Sequence, residues 1–202
     1  MNLQFPRLLR PLLGGYLVWH KPTSSKVIYL TFDDGPVPEV TPTVLDILDQ
    51  YGWKATFFCV GDNVAKYPAL YAEILRRGHH TANHTYNHLK GFSTNTASYV
   101  ANVNKAATLI QSNLFRPPHG QITFKQQQAL KSTYRIIMWD VISYDFDKKQ
   151  TPQHVFKTVA KRLRNGSIVV FHDSLKAQQN MLQALPQCLE FWISQGYRGK
   201  VL

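Results

Sequence analysis

The stretch Val27-Ile28-Tyr29-Leu30-Thr31-Phe32, followed by Asp33-Asp34-Gly35-Pro36, decides the fold class of this chain. The first six residues are mostly β-branched or aromatic, and such a run predicts a buried strand. The next four are turn formers that end the strand. The same order of apolar strand, polar turn and amphipathic helix recurs in six or seven units along the chain. This alternation predicts an α/β domain with a parallel sheet and crossover helices.

The boundaries of these units follow from apolar spacing and from capping residues. We interpret Thr41 and Asp62 as helix N-caps, and Gly52 and Gly78 as the residues that end those two helices. Strands are predicted at 27–32, 55–60, 80–82, 114–116, 134–139 and 167–171, and helices at about 42–51, 63–77, 98–110, 124–130, 152–165 and 181–193. An open doubly wound sheet and a barrel both fit this order.

The amino-acid composition is typical of a globular protein. Hydrophobic residues make up 44% of the 202 residues and charged residues 17%, which excludes a disordered chain. No apolar run approaches the roughly 20 residues that a membrane-spanning helix needs. Cys59 and Cys188 lie among apolar neighbours, so we interpret them as reduced core thiols rather than as a disulfide framework.

The chain is strongly basic, with a formal net charge of +11. Such a charge favours anionic partners. The basic residues are nevertheless scattered, and no nucleic-acid-binding motif is present. We therefore expect a solvated basic surface and no nucleic-acid partner.

Residues 1–26 are predicted to form an extension of a single domain at 27–202. Arg7 and Arg10 precede a short apolar stretch that glycines interrupt, and no small-residue cleavage site follows it. No cleavable signal peptide is therefore expected. The extension is predicted to pack on the domain or to rest on a membrane surface as a peripheral contact. We expect a monomer that is cytoplasmic or peripheral to the inner face of the cell envelope.

Polar side chains follow the predicted strands at the ends where functional groups gather in parallel α/β domains. Each has a structural explanation when taken alone: a turn, a surface histidine pair, a loop cap or a hydrogen-bonded core histidine. Residues more than a hundred positions apart would nevertheless converge on one face. These residues are Asp33, Asp34, His84, His88, Arg116, Asp145 and His172.

Two histidines and a carboxylate in this group suit a metal ion. His84 and His88 have the i,i+4 spacing that lets two imidazoles reach one ion. With one carboxylate they make the set that catalytic zinc uses, and the second carboxylate could then act as a base. His79 and His80, which begin a strand, are expected to face elsewhere.

Four ordered motifs stand at these strand ends: Thr31-Phe32-Asp33-Asp34-Gly35-Pro36, His84-Thr85-Tyr86-Asn87-His88, Arg116-Pro117-Pro118-His119-Gly120 and Val170-Phe171-His172-Asp173. They resemble the motifs of the polysaccharide deacetylases, the NodB-homology enzymes of carbohydrate esterase family 4. The resemblance runs from about Val27 to Asp173 and implies a distorted, TIM-barrel-like (β/α)7 barrel with a divalent metal. Zinc is the usual ion, with cobalt, manganese and nickel as alternatives.

The resemblance also implies a role for each motif residue. Asp33 would be the general base, with Arg116 orienting it. His172 would be the general acid, and Asp145 would pair with it. The metal ligands would be Asp34, His84 and His88.

Four positions depart from the family pattern, and they bear on the substrate pocket. Phe146 stands where the family has tryptophan, Ile142 where it has an aspartate, and His119 where it has tyrosine. The backbone N–H of His119 could still serve an oxyanion hole, since that role needs no side chain. Val170 stands where a leucine usually lines the pocket for the acetyl methyl group. We therefore expect His119, Val170 and Phe146 to line the pocket.

The resemblance implies hydrolysis of N-acetyl groups from an amino-sugar glycan, similar to chitin oligomers or peptidoglycan, with release of acetate. Two alternatives remain at this point. The same site could cleave O-acetyl esters or another non-peptide C–N bond. A different class of protein, a non-catalytic module that binds anionic glycan, would show salt-sensitive binding without metal dependence.

Overall fold

A computed structural model describes residues 5–202, apart from the side chain of Pro11. Three short 3-10 helices, Arg7–Leu13, Gly91–Ser93 and Pro118–Gly120, accompany the main elements. The strands are β1 Leu17–Val18, β2 Val27–Asp33, β3 Thr56–Cys59, β4 His80–Asn83, β5 Leu114–Phe115, β6 Arg135–Ile137, β7 Val141–Ile142, β8 Ser167–His172 and β9 Arg198–Gly199. The helices are α1 Thr41–Gln50, α2 Gly61–Lys66, α3 Pro68–Arg76, α4 Thr96–Ala107, α5 Phe124–Leu130, α6 Pro152–Arg162 and α7 Gln178–Ser194.

The strands form one parallel sheet in the order β1-β6-β5-β4-β3-β2-β8-β7, with β9 beside the start of β2. Strand β2 is buried along its whole length, as its apolar sequence predicts. The sheet curls into a distorted, incompletely closed barrel with seven helices, so the predicted α/β barrel is confirmed. Its register sets Asp33 beside His172, because β2 and β8 run in parallel and end together.

The main core lies between the sheet and the helices around it. Phe32 stacks on Phe57 at a centroid distance of 5.1 Å and lies 6.2 Å from Phe171, which joins three neighbouring strands. Trp192 of α7 stacks on Trp53 at 5.3 Å. Burial of each such side chain contributes roughly 1.5–3 kcal/mol to the stability of the fold. The strand ends are therefore supported by a well-packed core.

Three sequence expectations about local structure are wrong. Thr41 is the first residue of α1 and not its N-cap, because its hydroxyl donates to Asp173 instead, at 2.7 Å. Asp62 lies in the first turn of α2 and is not its N-cap, which is Val60. The single helix expected after Asp62 is two helices that break at Pro68, which has no N–H to continue the first. The strand expected at 134–139 is present in shorter form as β6, and the chain then crosses to form β7 beside β8, a strand that was not predicted.

The N-terminal segment packs against the barrel. Strand β1 pairs with β6, at Leu17 opposite Ile136. Arg7 and Arg10 donate to the buried carboxylate of Asp140 at 3.1 and 2.6 Å, and Arg164 donates to it at 2.8 Å. Hydrogen bonds from two arginines of this segment therefore tie it to the loop between β6 and β7.

Both cysteines are buried free thiols, in agreement with the sequence interpretation. Among the described residues, no helix has the length and apolarity that crossing a bilayer requires.

Candidate active site

A cavity of about 200 Å³ opens at the carboxyl ends of the strands. Asp33 and Asp34 reach it from β2, His84 and His88 from the loop after β4, and His172 from the end of β8. The strand-end residues of distant motifs thus meet in one place, as the sequence predicts. The other lining residues are His119, Trp139, Ile142, Phe146 and Lys176.

Asp33 is held by a fully buried arginine. The Arg116 guanidinium donates to Asp33 Oδ1 at 2.5 Å and to Thr31 Oγ1 at 2.9 Å. It also donates to the carbonyls of Ile137 and Met138 at 3.2 and 3.0 Å. Because its N–H groups donate to four acceptors, the guanidinium is held in one orientation. It therefore fixes the carboxylate of Asp33. Sequence reasoning found the pair but missed Thr31.

Asp34, His84 and His88 form a cluster that suits a metal ion. Their ligand atoms lie within 4.8 Å of one another. Asp34 Oδ1 is 3.2 Å from His88 Nε2 and 3.8 Å from His84 Nε2. Two imidazole nitrogens and one carboxylate oxygen are the donors of many catalytic zinc sites, so these residues fit a divalent cation.

The protonation of the cluster also suits a cation. His84 Nδ1 lies 2.7 Å from the carbonyl oxygen of Arg116, which can only accept, so Nδ1 carries the proton and Nε2 keeps its lone pair. Burial lowers the pKa of His84 to about 4, which leaves the ring neutral near pH 7. Burial alone would raise the pKa of Asp34, but His88, His172 and His84 hold it well below its usual range. A neutral imidazole and an ionised carboxylate are the forms that bind metal.

The turn that carries Asp34 is fixed from both sides. Asp34 has φ +85°, a left-handed conformation that needs support. Asn63 donates to the Asp34 carbonyl at 2.8 Å, and the Asp173 carboxylate accepts the Gly35 N–H at 3.0 Å. The Asp173 N–H donates to the carbonyl of Asp33 at 3.1 Å. Sequence reasoning assigned no role to Asp173 or Asn63, although an aspartate directly after His172 was a signal for the first.

His172 is paired with Asp145, as the resemblance implies. His172 Nδ1 lies 2.8 Å from one oxygen of Asp145, and the other oxygen accepts the backbone N–H of His172 at 2.8 Å. Burial alone would lower the pKa of His172, but Asp145 together with Asp34 and Asp33 raises it to about 9. The imidazole is therefore protonated near pH 7, with Nδ1 donating to Asp145.

The three predicted pocket residues lie in different surroundings. His119 and Phe146 line the cavity, and their rings are 4.7 Å from His88 and 4.9 Å from His172. Val170 is fully buried and is not among the lining residues. Its partner in register, Ile142, lines the cavity instead.

Lys176 and Trp139 also line the cavity, and sequence reasoning missed both. Each lies in a segment after a strand, where a lone lysine or tryptophan carries no distinguishing signal. The two histidines expected to face elsewhere do so. His79 Nδ1 accepts the N–H of Ala55, and His80 Nδ1 contacts the carbonyl of Leu202.

Comparison with known proteins identifies the family. The sequence model of the family described as polysaccharide deacetylase matches residues 20–135, more than half of the chain. The chain belongs to the polysaccharide deacetylase family. This membership confirms the resemblance that the four motifs carry, and with it a hydrolase that acts on polysaccharide.

Several curated polysaccharide deacetylases are similar to this one. A Bacillus cereus protein named peptidoglycan-N-acetylglucosamine deacetylase is 34% identical over 196 residues, covering 91% of this chain and 90% of the relative. A chitooligosaccharide deacetylase of Bradyrhizobium is 33% identical, covering 75% of this chain and 72% of the relative. The chain spans only 38% of a third, the Listeria monocytogenes peptidoglycan-N-acetylglucosamine deacetylase PgdA, at 34% identity.

Solved polysaccharide deacetylases have the same fold. A peptidoglycan N-acetylglucosamine deacetylase crystallised with 4-naphthalen-1-yl-N-oxidanyl-benzamide superposes with a TM-score of 0.86 at 29% identity, covering 93% of this chain and 91% of that one. The peptidoglycan deacetylase PdaC of Bacillus subtilis gives 0.80 at 28% identity, with 89% of each chain covered.

Proposed function

We propose that this protein is a metal-dependent deacetylase that hydrolyses the N-acetyl group of an amino sugar in a glycan and releases acetate. The observation that carries the proposal is the single cavity shared by Asp33, the Asp34–His84–His88 cluster and His172. A base, a metal-binding set and an acid within one cavity are what amide hydrolysis at neutral pH needs.

Asp34, His84 and His88 would hold the cation, with zinc as the expected ion. When bound, such an ion polarises an acyl oxygen and lowers the pKa of water. The protein fixes the site beforehand, because the Arg116 carbonyl orients His84 and the Asp33–Gly35 turn orients Asp34. Preorganised ligands of this kind do not have to reorganise during the reaction.

Asp33 is the proposed general base. Its Oδ1 is bound by Arg116, and its Oδ2 lies 4.0 Å from His84 Nε2, beside the metal-binding set. The carboxylate takes a proton from the attacking water, whose oxygen forms the new bond to the acyl carbon. Arg116 holds Asp33 in place for that step. The backbone N–H of His119 is the proposed donor to the oxyanion.

His172 is the proposed general acid. It lines the same cavity, and Asp145 holds its ring by Nδ1, which leaves Nε2 to donate. Transfer of that proton to the amide nitrogen lets the C–N bond break, so that the amino sugar leaves as an amine and the acyl group as acetate. The raised pKa of His172 supports this role, because an acid must carry its proton near pH 7.

The relatives support an N-acetylated glycan as the substrate. The names of the Bacillus cereus and Bradyrhizobium proteins refer to peptidoglycan N-acetylglucosamine and to chitooligosaccharides. N-acetylglucosamine is common to both, so its oligomers are the first substrates to test.

The test measures acetate released from N-acetylglucosamine oligomers by protein that has been treated with chelator and then given zinc. Activity that chelator removes and zinc restores is the expected result. Cobalt, manganese and nickel are compared at equal concentration. Release of acetate only from O-acetyl esters would overturn the amide specificity, and zinc-independent release would overturn the metal dependence.

Two variants separate catalysis from metal binding. Asp33→Asn should lower turnover by roughly 10²–10⁴-fold, as expected for loss of a general base, while zinc still binds. Asp62→Asn is the control, because Asp62 pairs with Lys66 on the exposed surface of α2. Full activity of Asp33→Asn would rule out Asp33 as the base.

A further inference from the structure

The charge of this chain is concentrated in two segments of the sequence. Residues 1–32 and 74–139 contain twelve lysines and arginines and not one aspartate or glutamate. The rest of the chain contains eleven basic and twelve acidic residues. The whole net positive charge of the protein therefore comes from these two acid-free segments.

The fold brings the two segments together at one side of the barrel. Strand β1 of the first pairs with β6 of the second. Gln127 of α5 donates to the carbonyl of Leu13 at 3.4 Å, and Lys131 donates to the hydroxyl of Tyr16 at 3.0 Å. The charge asymmetry of the sequence thus becomes an asymmetry of the folded surface.

Large apolar side chains are exposed on the same segments. Leu8 and Leu12 of the first 3-10 helix are 92% and 79% exposed. Phe92 and Phe124 of the second segment are 64% and 65% exposed. We call these four side chains the apolar face. Exposed aliphatic and aromatic residues that occur with basic ones are typical of surfaces that bind membranes.

One member of the apolar face, Phe92, lies near the catalytic cavity. An apolar cavity of about 300 Å³ is lined by Leu13 of the first segment and by Phe92 of the second. His119 and Trp139 line this cavity and the catalytic cavity as well. A surface that covered Phe92 would therefore lie close to the reaction site.

We propose that the apolar face and its surrounding basic residues dock on an anionic lipid bilayer. Lysines and arginines attract anionic headgroups, and the leucines and phenylalanines enter the boundary between headgroups and acyl chains. A purely anionic glycan would leave the leucines exposed to water. A second copy of the chain would bring two strongly positive surfaces together. The lipid surface alone satisfies both the charge and the apolar side chains.

The proposal goes beyond deacetylation and does not depend on it. The docked orientation would set the catalytic cavity at the membrane surface, within reach of a glycan held there. The two proposals are tested separately, because vesicle binding needs no turnover and acetate release from soluble oligomers needs no membrane.

The experiment measures co-sedimentation of the full chain with vesicles of phosphatidylcholine alone or mixed with phosphatidylglycerol. Binding to the anionic vesicles that weakens as salt is raised is the expected result, since salt screens the charges. Acetate release from soluble oligomers is measured on the same samples. Equal binding to neutral and anionic vesicles, or no binding at low salt, would overturn the proposal.

Matched variants test the face itself. Lys125→Gln with Lys131→Gln should weaken partitioning by about fivefold per lysine. The control Lys148→Gln with Lys149→Gln makes the same charge change outside the acid-free segments and should bind like the wild type. Equal losses in the two pairs would mean that net charge alone drives binding, which contradicts a specific face.

The apolar part is tested in the same way. Leu8→Ser with Leu12→Ser should lower partitioning at least tenfold, whereas Leu175→Ser with Ile193→Ser removes exposed apolar side chains elsewhere and should not. Unchanged binding of the Leu8 and Leu12 variant would contradict the proposal. Sedimentation velocity provides a second readout. A wild-type dimer that this variant makes monomeric would show that a second copy covers the face and would also overturn the proposal.

Discussion

The carboxylate of Asp173 receives the backbone N–H of Gly35 at 3.0 Å, across more than a hundred residues of chain. A Cβ atom at position 35 would lie 2.0 Å from Asp173 Oδ2, so the close approach requires glycine. The Thr41 hydroxyl donates to the same carboxylate at 2.7 Å. The conformation of the Asp34 turn, and hence the direction of its carboxylate, therefore depends on a side chain that does not itself line the cavity.

Replacing Asp173 should therefore weaken metal binding. Asp173→Ala removes the acceptor for Gly35 and Thr41, and loss of such an outer contact typically lowers metal affinity 10–100-fold. Asp173→Asn keeps one carbonyl acceptor and should lose less. Zinc affinity by competition titration is the measurement, with thermal unfolding to separate it from stability. An Asp173→Ala protein that folds and binds zinc like the wild type would show that the turn holds its shape alone.

Asp145→Asn should move the basic limb of the pH–rate profile to lower pH. Burial tends to lower the pKa of His172, and Asp145 is the largest influence that raises it, to about 9. Without that charge His172 should lose its proton one to three units earlier, following the usual effect of a neighbouring opposite charge. The profile of kcat/KM reports this ionisation in the free enzyme. A basic limb at the same pH in the variant and the wild type would show that another group is the general acid.

Acid should destabilise the protein partly through His79. Burial, with repulsion from Lys54 and Arg77, lowers its pKa to about 4, below the value of about 6.5 for an exposed histidine. Because the unfolded chain takes up the proton first, this stability is present above pH 6.5 and is lost as the pH falls toward 4. The loss amounts to at most about 3 kcal/mol.

His79→Asn provides the comparison. Its amide oxygen can accept the N–H of Ala55 as His79 Nδ1 does, but it does not titrate. Urea unfolding at pH 7 and pH 4 should therefore show a smaller loss of stability in the variant. Parallel losses in both proteins would mean that His79 does not contribute.

Asp140→Asn should destabilise the fold by about 3 kcal/mol, as expected when one partner of a buried ion pair is removed. Burial alone would raise the pKa of Asp140, but hydrogen bonds from Arg164, Arg10 and Ser167 hold it well below its usual range. Its contribution is therefore present above about pH 4 and declines as the pH falls further. The difference between variant and wild type in urea unfolding should shrink from pH 7 to pH 3. A constant difference would contradict an electrostatic origin.

Local sequence patterns predicted the sheet and most of its helices. The apolar run that became β2 is buried on both faces, so its composition alone identified a central strand. The prediction of Thr41 as an N-cap was wrong, because its hydroxyl donates to Asp173, which follows the distant strand β8. The strand at 134–139 was predicted and forms as β6, but β7 was missed, because its partner is β8 and no local pattern specifies that pairing.

The candidate site, like the fold, could be predicted only in part from the sequence. Asp33, Asp34, His84, His88 and His172 stand at strand ends in recognisable motifs, so their convergence could be predicted. The residues that support them could not be predicted, because Thr31, Asn63 and Asp173 act through hydrogen bonds between segments that are distant in the sequence. The same holds for Val170, whose place on the cavity wall is taken by its register partner Ile142.

The pairing of β1 with β6 has a consequence for the integrity of the sheet. A strand at the end of an open sheet presents unpaired N–H and C=O groups that can recruit strands from other chains. Leu17–Val18 covers that edge of β6, and Arg7 and Arg10 fasten the segment through Asp140. Residues 7–18 thus shield the edge of β6 from other chains. A truncated chain would expose β6 and should aggregate even though every proposed catalytic side chain remained.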